Sequence, residues 1–421
     1  MVAKKVFFKT FGCRTNLFDT QAMIANLGDF HLAQSESDAD AIVINSCSVT
    51  NHADRAARSY AHKIRRLQPE IKLIFTGCGA VSQGAPLLKQ GVVNGVFSHS
   101  EKSKIALFLA AEKPFEFYGE EDFIDETILP SFHGKTRAFI KVQEGCDFAC
   151  SYCVIPQTRG RARSRNPETI LEQIRALADI GFGEFVLTGT NTGSYGRDRG
   201  FSLAELIAKI GAIGGVKRIR LGSIEPIQID DKFLELLDAP FMAKHLHIAL
   251  QHTSDIILEL MNRRNRYKSD RELLNKIADK NFAIGTDFIV GFPRETSDVF
   301  NDAIAKIRDL PLTHIHIFKF SPRNGTIAAK MKIDVDGKTA DHRRQEIAEI
   351  INEKKRNFYL KNREPLRVLL ETDNSGLDQF FSRVKIVDNG SHSGWIEADR
   401  YEIGADGVIV AKSFKEIFYE I

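Results

Sequence analysis

The sequence predicts an α/β protein in three parts: an N-terminal parallel α/β domain, a central partial (β/α)6 barrel and a small C-terminal all-β barrel. Three observations predict it. Short apolar runs alternate with helical periodicity from residue 4 to 112; one strand–helix unit recurs six times from 135 to about 360; beyond 364 short β-type runs stand between Asn, Gly and Ser turns. At 421 residues the chain is too long for one core and fits two or three domains.

In the first part, Lys5–Thr10, Ala41–Asn45, Lys72–Thr76 and Gly91–Ser98 read as short buried strands. Helical patterns fall near Asn16–Leu27, Thr50–Leu67, Gln83–Lys89 and Lys102–Glu112. Such alternation implies a parallel sheet with helices on both faces. This domain is set at 1–115. Residues 116–134 lose the periodicity, carry acids with Pro and Gly, and read as a linker.

The second part, 135–363, has strands at Ala138–Gln143, Glu184–Thr190, Lys217–Gly222, Leu246–Gln251, Ala283–Val290 and His314–Phe320. A helix over Pro167–Asp179 opens on Pro and stops before Gly181; a charged helix over Asp341–Leu360 closes the domain. Six βα units are two short of a closed barrel, so the barrel is expected to be open. The tail, 364–421, carries β-type runs at Arg367–Glu371, Arg383–Val387, Gly394–Glu397 and Val408–Val410. A module this small is marginal alone and needs docking.

A net charge of +3, 43% hydrophobic and 27% charged residues describe an ordinary globular chain and exclude a disordered or collagen-like one. No apolar run approaches the roughly 20 residues of a membrane helix, and lysines interrupt the apolar stretches of the first ten residues, unlike a signal peptide. A cytoplasmic protein with no membrane partner is expected. Six cysteines are too sparse for a disulfide scaffold and point to metal or redox chemistry.

Cys146, Cys150 and Cys153 form a C-x3-C-x2-C run after the first barrel strand, at the carboxyl edge where βα folds bind ligands. Three thiolates this close can hold one corner of a 4Fe-4S cluster, leaving one iron open. Structural zinc wants four closed ligands, and no cysteine follows Cys153. Cys13, Cys47 and Cys78 each fall just past a strand end, so they should converge on the carboxyl edge of the first sheet. A single buried cysteine is commonly a small hydrophobe. Three at equivalent positions are a metal-site arrangement, and a second 4Fe-4S cluster with an open iron is expected there.

The C-x3-C-x2-C run in a six-unit βα domain resembles the radical S-adenosylmethionine (SAM) superfamily. The whole chain resembles its methylthiotransferases. The matching segments are Thr10-Phe-Gly-Cys13-Arg-Thr-Asn16-Leu-Phe-Asp19, Asn45-Ser-Cys47-Ser-Val-Thr50, Gly77-Cys78, Lys141-Val-Gln-Glu-Gly145 through Pro156, Arg159-Gly-Arg-Ala-Arg-Ser-Arg165, Leu187-Thr-Gly-Thr-Asn191, Ser223-Ile-Glu-Pro226, Met261-Asn-Arg-Arg264 and Asp287-Phe-Ile-Val-Gly-Phe-Pro-Arg-Glu295. The resemblance implies SAM bound at the open iron of the Cys146/Cys150/Cys153 cluster and cleaved by one electron to a 5′-deoxyadenosyl radical, an auxiliary cluster on Cys13, Cys47 and Cys78, and a TRAM-like RNA-binding barrel as tail. Within the family, Asn45–Arg55, Arg159-Gly-Arg-Ala-Arg-Ser-Arg165 and Gly193-Ser-Tyr-Gly196 look most like the MtaB type, which methylthiolates C2 of threonylcarbamoyladenosine beside the anticodon of tRNA. Alternatives are the isopentenyladenosine branch, the branch acting on a ribosomal-protein aspartate, and an iron–sulfur RNA-binding module without enzymatic activity. An electron donor of flavodoxin or ferredoxin type is implied. The sequence departs from the family at His252-Thr253-Ser254 and at Arg294, where a Gly is usual.

By the same resemblance Tyr152 packs near the SAM adenine, and Gly189 and Asn191 approach its amino group. Loop packing for Tyr152 and ordinary turn roles for the other two are the rival readings. Glu225 either binds SAM or caps the following helix. Trp395 and the alternating His245, His247, His314 and His316 read as packing or barrel-lining residues. The tail holds 6 basic against 11 acidic residues, a poor phosphate surface. Residues 135–165 hold seven basic against two acidic, 261–271 five against one, and 52–72 six against two. Arg163, Arg165, Arg263, Arg264 and Arg266 are therefore the expected RNA contacts.

Overall fold

The computed structural model describes residues 4–417 except 49–50, 121–122, 363, 372–373, 388–389, 391 and 405–406. Val49 and Thr50 of the second cysteine motif lie outside the described residues. Strands β1 (Lys5–Thr10), β2 (His31–Leu32), β3 (Ala41–Ser46), β4 (Lys72–Gly77), β5 (Gly95–Phe97) and β6 (Phe115–Phe117) form a parallel sheet in the order β2-β1-β3-β4-β5-β6. Its central strands β3 and β4 carry unbroken apolar runs at 41–44 and 73–75 because both faces are covered. Ile42, Ile44, Leu73 and Phe75 pack with Ala57, Ala61 and Ile64 of helix α2 (Asn51–Leu67). Val6, Val43 and Ile74 face Met23 of helix α1 (Arg14–Ala25).

In the second domain β7 (Ala138–Glu144), β9 (Glu184–Gly189) and β10 (Arg218–Leu221) are parallel, with β8 (Arg163–Ser164) antiparallel on the edge of β7. Strands β11 (His245–His247), β12 (Ala283–Val290) and β13 (His314–Lys319) make a second parallel sheet. Parallel bridges Ile219–Met242 and Ile224–Ile248 join the two. Six parallel strands thus run β7-β9-β10-β11-β12-β13, an open partial barrel as expected. One core runs through it, from Ile140 and Leu187 to Ile284 and Phe288.

The tail is a closed barrel of β14 (Leu366–Leu370), β15 (Ser375–Leu377), β16 (Arg383–Ile386), β17 (Gly394–Ile403) and β18 (Ile409–Ile417) in the order β14-β15-β16-β18-β17. It docks through backbone carbonyls and the Asp378 side chain. Arg218 donates to Arg367 O (2.6 Å) and Leu377 O (3.0 Å), Arg220 donates to Asp378 O, and Tyr359 of the long helix Gly337–Lys361 donates to the Asp378 carboxylate at 2.6 Å.

Several expected boundaries shift for local reasons. The strand read at Gly91–Ser98 is only Gly95–Phe97, because Gly91 has φ +68° and Val92 N–H bonds back to Leu87 O, closing the preceding helix. The strand read at Leu246–Gln251 is regular only over His245–His247; Gln251 has φ +69°, outside extended geometry. The first sheet reaches into the segment read as linker, since Phe115–Phe117 pairs with Gly95–Phe97. Strands of two or three residues such as β2, β6, β8 and β15 are too short to show alternation in a sequence. The last two strands run longer than expected, paired antiparallel across a bulge at Ala398–Tyr401. Trp395 is half-buried beneath the Arg218 guanidinium, 4.5 Å from its ring centre.

Candidate active site between two cysteine sets

Strands β1, β3 and β4 are neighbours in the first sheet, so their carboxyl ends lie side by side. Cys13 is the N-cap of α1, three residues past β1; Cys47 and Cys78 directly follow β3 and β4. Gly12 makes this approach possible. It has φ +100°, and a Cβ there would lie 2.3 Å from Cys47 Cβ. Buried Asn16 fastens the loops, donating to Phe11 O (2.9 Å) and Ser46 O (2.8 Å).

In the second domain Gly145 (φ +75°) turns the chain off β7 so closely that a Cβ would meet Arg161 O at 1.8 Å. The three-cysteine loop follows. Phe148 N–H points to Cys146 Sγ (3.4 Å), Asn191 Nδ2 lies 3.7 Å from the same sulfur, and Arg263 Nη1 lies 3.7 Å from Cys150 Sγ. Ser151 pins the loop to the chain before Arg263 through Leu260 O and Met261 O.

The two sets meet. Cys13 and Cys78 line one cavity of about 580 Å³ together with Cys146, Cys150 and Cys153. Burial pushes the thiols of Cys78 and Cys146 up, and that of Cys153 up to about 12. Raised thiols are poor free nucleophiles, and sulfurs held this way suit a donor set for iron. Cys78 Sγ also accepts from Arg159 Nε at 2.9 Å.

Tyr152 is half-buried and meets the edge of Phe292 (6.4 Å). Gly189 lets β9 pass close to Gln143: a Cβ would sit 2.9 Å from Gln143 Oε1, which instead accepts from Asn191 N at 2.8 Å. Asn191 Oδ1 and Thr190 Oγ1 are buried with no hydrogen-bond partner among the described residues, two polar atoms on a cavity wall left for a ligand. Glu225 caps nothing with its side chain. It forms a two-pronged ion pair with Arg263 (Oε1 to Nη1, 2.7 Å), and burial pushes its carboxyl up against that pairing. His247 Nε2 and His316 Nδ1 lie 3.1 and 3.4 Å from Asp287 Oδ1 on the same wall.

The expected RNA contacts need correction. Arg163 is buried and donates to Phe123 O, Arg159 O and Arg161 O. Arg165 is fully buried, donating to Lys141 O and Thr127 O with its guanidinium over the Phe18 ring. Arg263 is taken up by Glu225. Arg159, Arg163 and Arg165 after the cluster loop thus serve interior carbonyls and carboxylates, while Arg161 between them is exposed beside Asp147. Arg266 is half-buried on Arg263 O and Asn265 O, and of the expected contacts only Arg264, over Phe148, is well exposed. The basic residues of α2 give a better surface: Arg55, His62, Lys63 and Arg66 are exposed, and Arg55, His62 and Arg66 share one helical face.

Sequence reasoning missed the charged junction behind the cysteines. Asp19 of α1 meets Lys141 (2.8 Å), Arg159 (3.0 Å) and Lys102 (3.1 Å); Glu144 meets Lys141 (2.9 Å) and Arg159. All five side chains are buried. Lys141 and Asp19 stand in the matched segments or beside them, but nothing in either segment alone says that they pair.

The sequence matches the Radical SAM superfamily over residues 140–307 and Uncharacterized protein family UPF0004 over 5–98. A putative methylthiotransferase of Helicobacter pylori is 53% identical over 410 residues, covering 95% of this chain and 98% of that protein. The threonylcarbamoyladenosine tRNA methylthiotransferase MtaB of Aquifex aeolicus is 34% identical, covering 90% and 96%. A tRNA-2-methylthio-N(6)-dimethylallyladenosine synthase of Hydrogenobaculum is 33% identical, covering 82% and 83%. Among solved structures, the radical SAM methyltransferase TsrM of Kitasatospora setae, bound to tryptophan and a SAM analogue, superposes at TM-score 0.58 with 13% identity over 75% of this chain and 73% of that one, a likeness of fold alone. No helix among the described residues is long and apolar enough to cross a membrane. Cysteines from both sets on one cavity, in a chain that matches named methylthiotransferases over most of its length, place it in the radical SAM methylthiotransferase family, whose cofactors are SAM and two 4Fe-4S clusters.

Proposed function

We propose that this chain methylthiolates C2 of N6-threonylcarbamoyladenosine beside the anticodon of tRNA. The observation that carries the reading is the single cavity shared by Cys13, Cys78 and Cys146/Cys150/Cys153. A base entering it can meet both cysteine sets at once, as a reaction that joins radical formation to sulfur transfer needs.

Cys146, Cys150 and Cys153 would hold the SAM-binding cluster, and Cys13, Cys47 and Cys78 the auxiliary one. Together with SAM they supply one-electron cleavage of SAM and a sulfur donor for C2. The chain orients these groups. Asn191, whose Oδ1 has no partner among the described residues, and Gly189, which brings the backbone close, form the wall for the SAM amino group, while Tyr152, backed by Phe292, forms an aromatic side. Arg263 and Glu225 neutralise each other beside Cys150. Arg55, Lys63 and Arg66 of α2 and Arg264 offer the phosphate surface, and the barrel tail contributes shape. The enzyme would work in the cytoplasm with a flavodoxin- or ferredoxin-type electron donor.

Relatives named for dimethylallyladenosine are nearly as similar as those named MtaB, so isopentenyladenosine is the second reading. Mass spectrometry of nucleosides and ribosomal proteins from cells lacking the gene decides. Loss of 2-methylthio-threonylcarbamoyladenosine, with the unmethylthiolated nucleoside accumulating, is expected. Its persistence, with loss of the isopentenyl product or of a modified ribosomal-protein aspartate, overturns the reading.

A further inference from the structure

Arg14 lines the cavity one residue from Cys13, yet among the described residues its guanidinium makes no hydrogen bond and no ion pair. It lies 5.3 Å from the ring centre of Phe381, which the barrel tail supplies to the same cavity from a left-handed backbone (φ +68°). The neighbouring carboxylates are already engaged. Glu184 is shared by Arg218, Arg220 and Arg137, Glu371 takes Arg137 at 2.7 Å and Arg383 at 3.2 Å, and Asp378 holds Tyr359. Five guanidiniums, with Arg14, thus stand against three carboxylates. Asp287, the other acid on this wall, is engaged by His247 and His316.

A second, independent observation lies beside it. His245 is 6% exposed, lines the cavity and stacks on Phe381 at 4.8 Å, and its Nε2 has no hydrogen-bond partner among the described residues. Gly285 keeps that atom clear: a Cβ there would sit 3.0 Å from His245 Nε2 and 3.0 Å from His247 Nδ1.

The geometry points to Arg14, with His245 as a second donor and Phe381 as an apolar floor, as the subsite that receives a carboxylate on the N6 substituent of the target base. This rests on the reading of the target as a threonylcarbamoyl nucleoside and explains how the site would select it. A carboxylate lowers the local excess of positive charge and can take both forks of the guanidinium. An isopentenyl group would leave a half-buried cation facing hydrocarbon, with no counter-charge.

The test uses holoenzyme and anticodon stem-loop RNAs carrying threonylcarbamoyladenosine or its neutral carboxamide, compared by competition binding. Wild type should prefer the acid by roughly 10- to 100-fold, the worth of a charge-assisted hydrogen bond. Arg14→Met should bring the preference to within about 3-fold, lowering acid affinity far more than carboxamide affinity and leaving iron content unchanged, and Arg14→Lys should keep part of it. No preference in wild type, or an undiminished preference in Arg14→Met, overturns the subsite. So does an equal loss of acid and carboxamide binding, which would assign Arg14 to the neighbouring cysteine set. The functional reading fails separately: wild type that prefers the acid through Arg14 but methylthiolates only isopentenyladenosine keeps the anion subsite and refutes the proposed substrate.

Discussion

Arg159 Nε donates to Cys78 Sγ across the junction of the two α/β domains, at 2.9 Å. The same guanidinium reaches Asn16 Oδ1 (2.7 Å) and Asp19 (3.0 Å) in the first domain and Glu144, just before the cluster loop, in the second. One side chain therefore touches elements that position both cysteine sets. The junction is electrically closed: Asp19, Asp125 and Glu144 face Lys102, Lys141 and Arg159, while burial pushes His99 down to about 3 and keeps it neutral.

Removing one member of such a set leaves a buried charge without its partner. Arg159→Met should cost about 3–5 kcal/mol of stability, measured by denaturant unfolding. A loss below about 1 kcal/mol would mean that solvent reaches the junction.

Arg294 has φ +70°, in the left-handed region that favours glycine. A left-handed backbone is unfavourable for a side chain with Cβ and free for glycine. Arg294→Gly should therefore raise stability by about 1 kcal/mol, seen as a higher Tm. An unchanged or lower Tm would mean that the Arg294 side chain contributes more than the strain removes.

Asp270 is buried, accepting from Asn265 Nδ2 at 2.7 Å, with Oδ1 unpartnered among the described residues; burial pushes its carboxyl up to about 7. The folded state thus favours the neutral acid. Its contribution is fully present below the ordinary carboxylate value near 4 and is lost as pH rises through about 7. Asp270→Asn should flatten the fall in stability across that window, measured as Tm against pH. An unchanged slope would place the titration elsewhere.

Neutralising Arg55, Lys63 and Arg66 should lower the slope of log tRNA affinity against log salt, by about 0.7–0.9 for each phosphate that no longer meets a cation. Arg165→Gln should destabilise the chain and leave that slope alone, since its guanidinium is spent on Lys141 O and Thr127 O. The reverse pattern would return the phosphate surface to the segment after the cluster loop.

The fold is largely legible in the sequence because burial on both sheet faces writes itself as unbroken apolar runs, as at 41–44 and 73–75. Cysteines at strand ends are legible for the same reason: once the strands are known, parallel topology fixes where their ends meet. What stays hidden is partnership between distant segments. Arg163 and Arg165 read as a basic patch because a sequence shows charge and not the carbonyls of residues 123, 127 and 141 that receive it. Arg14 and Phe381 are 367 positions apart, and no local pattern announces that they share a wall.

The central claim is that two separately held cysteine sets act on one base in one cavity. It is tested most directly with anaerobically reconstituted holoenzyme, SAM, a reductant and tRNA carrying threonylcarbamoyladenosine, followed by iron analysis and nucleoside mass spectrometry. Changing Cys146, Cys150 and Cys153 to Ala should remove one cluster's iron and abolish SAM cleavage. Changing Cys13, Cys47 and Cys78 to Ala should remove the other, leave SAM cleavage largely intact and abolish the methylthiolated nucleoside. Methylthiolated product at wild-type levels from the second variant, or no loss of iron from either, would contradict the account.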